Sequence, residues 1–334
     1  MSTSLIDSVA NTTSHRDRDD LDRAIASLLL QFLDADAVTL YRLIDDNETK
    51  RVRRGASVTR GNHEHGPAPI ESLSKLPACG DVPPWRECVA EQKAVQYAAA
   101  SGKCCTVFPI ANERTVVGML EIEMESGLQL RDSGLVAGIL RIVKNHLALL
   151  DYGESDTLTG LLNRKTFESS FDKLRVISGV GCKEEPSWLG IVDIDKFKSI
   201  NDNFGHLFGD EVLLLTARLL RQAFRGNDQL FRFGGEEFII VLNRATKPGA
   251  QIAFSRLRAM VEEFRFPQVG TVTISLGYTF VDPQDGPSAC IERADAALYY
   301  AKHHGRNNVQ SYEALIDTGE LKAKKSTVND IELF

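Results

Sequence analysis

The chain has 334 residues, 43% apolar and 25% charged, with a formal net charge of -7. That is room for about two domains of ordinary globular composition, each able to bury its own core. The acidic balance argues against a duplex-DNA binder, which usually carries a basic domain or stripe, but not against nucleotides, which need only a few local cations.

Residues 1–19 read as a polar leader without the basic-then-apolar pattern of a signal peptide. Leu21 to Leu33 places apolar residues at helical spacing (Leu21, Ile25, Leu28, Leu29, Phe32) and predicts an amphipathic helix. Ala37 to Ile44 alternates as a strand, and Arg51 to Ser57 can pair with it across the polar turn DDNETK. Residues 60–84, rich in Gly, Pro and His, predict a long loop. A short helix around Trp85 to Gln92 follows, then strands near Ala94 to Ala98, Lys103 to Ile110 and Thr115 to Met124, the last two joined by the connection ANER. Together, residues 20–130 predict an α+β module built on an antiparallel sheet. His63, His65, Cys79, Cys88, Cys104 and Cys105 could supply metal or haem ligands, but their spacings match no ligand pattern with a mechanism behind it. Adjacent Cys104 and Cys105 on a strand face opposite sides, so at most one lines a pocket.

Residues 131–155 predict a connector helix, a possible coiled coil in the sense that its core RDSGLVAGILRIVKNHLALLD interleaves two 4-3 patterns. One is Leu135, Ile139, Ile142, His146, Leu149; the other is Val136, Leu140, Val143, Leu147, Leu150. Two stripes allow packing on the helix's own domain and on a second copy in a parallel dimer; the alternative is a plain buried domain-terminal helix. No uncharged apolar run reaches the ~18 residues of a membrane helix, and the six cysteines show no C-x-x-C pair, so no membrane span and a cytoplasmic location with reduced thiols are expected.

A second α/β module spans residues 156–312. It reads as helix (Arg164 to Val176), strand (Trp188 to Asp193), helix (Leu207 to Arg225), a hairpin, helix (Ala250 to Phe264), strand (Thr271 to Val281), helix (Ser288 to His304) and a short final strand (Asn308 to Ser311). A β-α-β-β-α-β core is the ferredoxin-like palm arrangement. The polar, charged tail 313–334 is expected to be disordered.

Within this module, DQLFRFGGEEFIIVL (228–242) is two apolar-alternating segments folded back across Gly234 and Gly235. Glu236 and Glu237 stand at or just past the bend, where alternation sends them to opposite faces. Read alone, the tip is a solvated turn. The apolar strand ending at Asp193, Ile194 and Asp195 changes that reading, because in a palm sheet its end can lie beside the tip. Mg²⁺ takes one or two protein carboxylates plus substrate phosphates, and Asp193 with Glu236 is a complete protein share. Asp195 alone would more often be a capping residue. Lys196 and Lys198 then stand near bound phosphates, where a cation offsets charge on a transferred phosphoryl group.

DTLTGLLNR (156–164), DIDKFKSINDNFGHLFGD (193–210), RFGGEEF (232–238), VTISLG (272–277) and ADAALYYAKHHGRN (294–307) resemble, in order, the signatures of the GGDEF family of diguanylate cyclases. The resemblance implies a nucleotide-cyclase-type palm that joins two GTP molecules into cyclic di-GMP with release of two pyrophosphates. It implies magnesium, or manganese in its place, on Asp193, the Ile194 carbonyl and Glu236. Asn201 and Asp210 would read the guanine edge, whose mixed donor and acceptor pattern an amide and a carboxylate match. Phe197 and His206 would join them in binding GTP, and Lys302 and Arg306 would hold the triphosphate. Lys198 resembles the residue that stabilises the transition state, and Glu236 or Glu237, with Glu236 preferred, would assist deprotonation of the 3′-hydroxyl. The signature is GGEEF, keeping a carboxylate where the family name has Asp, and Lys196 replaces a frequent aromatic.

Arg225 and Asp228 form an R-x-x-D where the family carries a product-inhibition site, and Arg256 matches an arginine that joins that site across subunits. The plain alternative is a helix-end Arg with a capping Asp. The fragment TVFPIANERTVVGMLEIEME resembles the last hairpin of a GAF domain, a sensory fold related to PAS, which implies a small-molecule signal acting on residues 20–130. The combined expectation is a GAF-regulated homodimer that takes GTP and is inhibited by cyclic di-GMP, with no nucleic acid partner. The rival is a catalytically silent cyclic di-GMP receptor, for which intact Asp193, Lys198, Asn201, Asp210 and Glu236 would have no use.

Overall fold

The computed structural model describes residues 5–46, 49–61, 63–67, 75–112, 115–168, 170–171, 186–226, 228–282 and 284–322. It divides into two compact units, Met1–Gly153 and Glu154–Phe334.

The first unit opens with α1 (Leu5–Thr12) and α2 (Arg18–Phe32). The first helix lies in the segment expected to be a polar leader; Leu5 and Val9, one turn apart, pack on the core and account for it. Asp17 caps the second by accepting from the amides of Asp19 and Asp20. The strands are β1 (Ala37–Asp46), β2 (Thr49–Thr59), β3 (His63–His65), β4 (Val95–Ala98), β5 (Cys104–Ala111) and β6 (Val116–Met124), with α3 (Pro83–Glu91) before β4. They form one antiparallel sheet in the order β3-β2-β1-β6-β5-β4. A large core of Leu21, Ile25, Leu29, Leu40, Leu120 and Val136 joins one face to the long helices. A smaller cluster, Val52, Cys79, Cys88, Val107 and Met119, packs with Trp85 of α3 and Tyr41.

α4 (Leu130–Glu154) buries Val136, Ile139, Val143, His146 and Leu150. That line takes residues alternately from the two stripes seen in the sequence and is itself a 3-4 repeat, the line midway between two adjacent stripes of one helix face. Ile139 therefore belongs to the unit's own core at 5% exposure, while Ile142 and Leu149 are 40% and 70% exposed. Among the described residues this is the one helix long and apolar enough, by length and composition, to cross a membrane.

The second unit is built from β7 (Leu162–Asn163), β8 (Trp188–Ile194), α5 (Phe197–Phe204), α6 (His206–Ala223), β9 (Gln229–Arg232), β10 (Glu237–Leu242) and α7 (Lys247–Glu263). A short β11–β12 hairpin (Arg265–Phe266 and Gly270–Thr271), β13 (Ile274–Phe280), α8 (Pro287–His303), β14 (Val309–Ser311) and α9 (Tyr312–Asp317) complete it. The sheet order is β14-β13-β8-β10-β9-β7. Its central four strands, β13-β8-β10-β9, are mutually antiparallel, which is the ferredoxin-like order 4-1-3-2.

Every position of β8 is buried because both faces of the sheet are covered. Val192, Ile194, Phe238 and Ile240 face one core with α6 and α7, and Leu189, Ile191, Ile239 and Val241 face the other with Phe167 and α8. α8 lies directly on β13 at Gly277, where a Cβ would stand 2.1 Å from the Leu298 amide nitrogen and 2.3 Å from the Ala294 carbonyl oxygen.

Several boundaries differ from expectation. Within residues 60–84, expected to be a loop, His63–His65 forms β3 on the sheet edge. The helix expected to start at Leu207 is preceded by a separate α5, the break falling at Gly205 with φ of 92°. The tail expected to be disordered from 313 instead continues as α9. Glu313 ties it down by accepting from Thr279 Oγ1 at 2.5 Å and the Phe280 amide at 3.0 Å, and Leu315 is buried. Of the helix expected over Arg164 to Val176, residues 164–168 and 170–171 are helical; 172–185, with Cys182, and 323–334 lie outside the described residues.

Candidate active site

β8 delivers Asp193 to the edge of the core, where it is 5% exposed, and antiparallel pairing sets it opposite Glu237 at the start of β10. The Ile194 amide reaches the Glu236 carbonyl oxygen at 3.4 Å, so strand end and hairpin tip meet. Lys302, near the end of α8, sets its Nζ 2.7 Å from Asp193 Oδ2. Burial pushes the Asp193 carboxyl above its ordinary value; Lys302 opposes this, Asp195 adds to it and Arg306 opposes it again. Glu236 is pushed up as well, first by burial and next by the Asp193 charge, with Lys302 opposing and Glu237 adding. The Asp193 charge thus raises the proton affinity of Glu236, while Lys302 opposes the shift on both.

That donor set fits a small hard cation completed by phosphate oxygens: two oxygen anions short of positive charge, with an ammonium already resting on one of them. Among the described residues no group of three or more His, Cys, Asp or Glu side chains could hold a metal. Asp195 is fully engaged elsewhere, accepting from Thr273 Oγ1 and Ser275 Oγ at 2.7 Å each and from the Asn307 amide at 3.0 Å. It holds the strand end in place. A cavity of about 410 Å³ beside it is lined by Lys196, Ser199, Thr273 and Arg306, but not by Lys198, Asn201 or Asp210.

Asn201 on α5 packs over Gly209, the neighbour of Asp210 on α6. A Cβ there would stand 2.0 Å from Asn201 Oδ1 and 3.3 Å from the Phe197 ring, so only glycine admits this approach. Asp210 is exposed and Asn201 half-buried. Lys198 is exposed, and His206 is exposed at the first position of α6. Phe197, also implied in GTP binding by the resemblance, has its side chain 7% exposed within the core, where it anchors α5.

Two residues that position the tip were inside quoted motifs but given no role. Arg232 directs Nη1 to both carboxylate oxygens of Asp156, at 3.1 and 3.2 Å, and donates from Nη2 to the Gly235 carbonyl at 2.9 Å. Asp156 also accepts from the amide and hydroxyl of Thr159 at 2.8 and 2.7 Å. The signal was an Arg two residues before the paired glycines and an Asp opening DTLTG, neither of which predicts a partner until the sheet is assembled. Glu237 folds back over the tip, where a Cβ on Gly234 would lie 2.8 Å from its Oε2; neither Gly234 nor Gly235 adopts the positive φ expected of the paired-glycine turn.

Arg225, Asp228 and Arg256 also come together, at the end of α6. Asp228 accepts from the Arg225 amide at 3.0 Å and the Asn243 amide at 3.2 Å, closing the turn. Burial pushes its carboxyl up, opposed by those two amides and then by the Arg225 and Arg256 charges. Arg256 donates to the Ala223 carbonyl at the helix end, so two of the three have structural partners, while Arg225 is exposed.

The second unit is therefore a palm-type α/β domain with a carboxylate pair and cationic side chains gathered at one strand end. Residues 154–308 match the family model described as "Diguanylate cyclase, GGDEF domain", and the unit is a GGDEF domain of that family. Among similar proteins, "Diguanylate cyclase A" of Treponema denticola is 35% identical over 215 residues, 60% of this chain and 57% of that protein. "Diguanylate cyclase DosC" of Escherichia coli K12 is 36% identical over 163 residues, 48% of this chain and 35% of that one. The chain thus spans between about a third and little more than half of these relatives. The solved GGDEF domain of DgcB from Caulobacter crescentus in complex with c-di-GMP is 31% identical, with 48% of this chain and 94% of that chain covered at a TM-score of 0.45.

Proposed function

We propose that the chain is a diguanylate cyclase that condenses two GTP into cyclic di-GMP and two pyrophosphates, as a homodimer controlled by its first unit. The observation that carries this reading is the meeting of Asp193, Glu236 and Lys302 at one strand end of a GGDEF domain. Asp193, the Ile194 carbonyl and Glu236 would hold magnesium, or manganese in its place. When bound, the ion supplies positive charge against the phosphates and lowers the pKa of the attacking hydroxyl.

This chain's own residues do the rest. Asn201, packed over Gly209, and Asp210, next to that glycine in sequence, hold the guanine edge. Lys302 and Arg306, both close enough to Asp193 to stabilise its charge, meet the triphosphate, and exposed Lys198 offsets the charge that builds on it. The 3′-oxygen of one GTP bonds to the α-phosphorus of the other, the bond to the β-phosphate breaks, and pyrophosphate leaves with the electron pair. The hydroxyl proton passes to Glu236, whose proton affinity is raised by burial and by Asp193, with adjacent Glu237 the second candidate.

Each domain holds one GTP, so two must face each other, and bringing them together is a matter of proximity rather than new chemistry. Exposed Ile142 and Leu149, seven residues apart on α4, support a seam for a second copy. The six-stranded antiparallel sheet with helices supports a GAF-like input unit that takes a small-molecule signal. The cluster of Arg225, Asp228 and Arg256 supports feedback by product.

The test is incubation of the full chain with GTP and Mg²⁺, with nucleotides resolved by chromatography. Cyclic di-GMP should form, and Glu236→Gln should lower turnover more than tenfold without loss of fold. Absence of product from a folded protein that still binds cyclic di-GMP would favour a silent receptor.

A further inference from the structure

The sheet face under α3 carries a polar row that packing alone does not require. Across four strands it reads Glu121, Thr39, Ser57, His65, beside buried Val107, with a carboxylate on β6 and Thr39 Oγ1 2.8 Å from Ser57 Oγ. Three aromatic side chains converge on that carboxylate. Tyr41 donates its hydroxyl to Glu121 Oε1 at 3.2 Å, and Trp85 Nε1 and the Tyr97 hydroxyl donate to Oε2 at 2.9 and 2.6 Å. The Tyr41 and Trp85 rings lie 4.9 Å apart at 49°, and all four residues are half-buried.

All three donors are neutral, so they orient the carboxylate without cancelling its charge. Among the described residues Glu121 forms no ion pair. Arg54, across the strand pair from Tyr41, is exposed. The thiols nearby add no charge: burial pushes Cys88 up to about 12 and Cys105 to about 11, so both stay protonated. A carboxylate has about four acceptor positions, and three are filled here, leaving one. The Tyr41, Trp85 and Tyr97 rings that carry these donors add apolar surface around the charge, and the Tyr41 and Trp85 rings pack on each other, a combination suited to an alkylammonium group.

The geometry points to a binding site for a small organic cation, an alkylammonium group seated on Glu121 among Tyr41, Trp85 and Tyr97. Binding stands on this geometry alone; an effect on turnover rests in addition on the first unit being an input domain, so the two are measured separately.

The chain has two tryptophans, Trp85 and Trp188, so Trp188→Phe leaves Trp85 as the sole reporter. Its fluorescence is titrated with choline, tetramethylammonium and putrescine at constant ionic strength, and with 3,3-dimethylbutanol, the neutral isostere of choline. At least one cation should give a saturable change in the millimolar range or below. The alcohol should bind at least tenfold more weakly than choline, and Glu121→Gln, which keeps an acceptor but removes the charge, should weaken cation binding at least tenfold. If that variant fails to fold, Tyr41→Leu, which removes a ring face and keeps the carboxylate, must show the same loss. No saturable response to any of the three cations, equal binding of choline and the alcohol, or unchanged affinity in the folded variants would overturn the site. Failure of GTP turnover with cation binding intact would count against the cyclase reading alone.

Discussion

Arg232→Met should loosen the hairpin tip and cost stability at once, because one guanidinium holds both ends of the arrangement. Arg232 and Asp156 are 16% and 21% exposed, and three hydrogen bonds leave that side chain, two to the carboxylate and one to the Gly235 carbonyl. Removing one partner of a buried pair costs ~3–5 kcal/mol; with water reaching about a fifth of Asp156, a loss of ~2–3 kcal/mol is expected. For a unit of this size that lowers the transition by about 5–10 °C. Turnover should fall at least tenfold at temperatures where the variant is still folded, since the tip that carries Glu236 loses its tie to Asp156.

The pH dependence follows from Asp156. Burial pushes its carboxyl up, but the Thr159 hydroxyl and amide and then Arg232 outweigh this and hold it below the ordinary value of 3.8. A depressed folded value means the stabilisation is fully present above the unfolded pKa and is lost as pH falls through the lower folded one. The gap between wild type and Asp156→Asn should therefore persist from neutral pH down to about 4 and close below it. Urea unfolding read from Trp188 in a Trp85→Phe background isolates the second unit. Midpoints that coincide with wild type, together with turnover within twofold, would refute the clamp.

Gly277→Ala puts a methyl group against backbone atoms of α8 that cannot rotate away, and should cost about 3 kcal/mol by the same urea assay; an unchanged midpoint would contradict the close approach. Asp210→Ala should lose preference for GTP over ATP in competition binding, and equal discrimination would remove its guanine role. Ile142→Glu with Leu149→Glu places like charges on an exposed line of α4 without touching the buried one. Sedimentation should then show a monomer with slowed turnover, and an unchanged, folded dimer would move the seam elsewhere. Arg225→Ala should relieve inhibition by added cyclic di-GMP at least tenfold while leaving the strand-end acids intact. Equal inhibition of both proteins, or inhibition overcome by GTP, would leave the R-x-x-D as a helix end.

Local pattern carried much of this protein. Alternating apolar residues around Gly234 and Gly235 marked the β9–β10 hairpin, and the uninterrupted apolar run of β8 marked a strand covered on both faces, because side-chain period and burial are written directly in the residue types. The motifs placed Asp193, Glu236 and Lys302 on particular elements. Their meeting is a property of the 4-1-3-2 sheet, which sets residues far apart in sequence at one strand end.

The Asp156–Arg232 clamp and the packing of Asn201 over Gly209 needed the assembled fold for the same reason: a hydrogen-bond partner has no sequence signature when it lies on another element. Which stripe of α4 is buried was likewise undecidable from two equivalent patterns; packing against α1, α2 and the His15 carbonyl chose a mixture of both. Glu121 shows the limit most plainly. In sequence it is one of the polar residues of an alternating strand, and only the neighbouring strands and α3 bring three aromatic donors to its carboxylate.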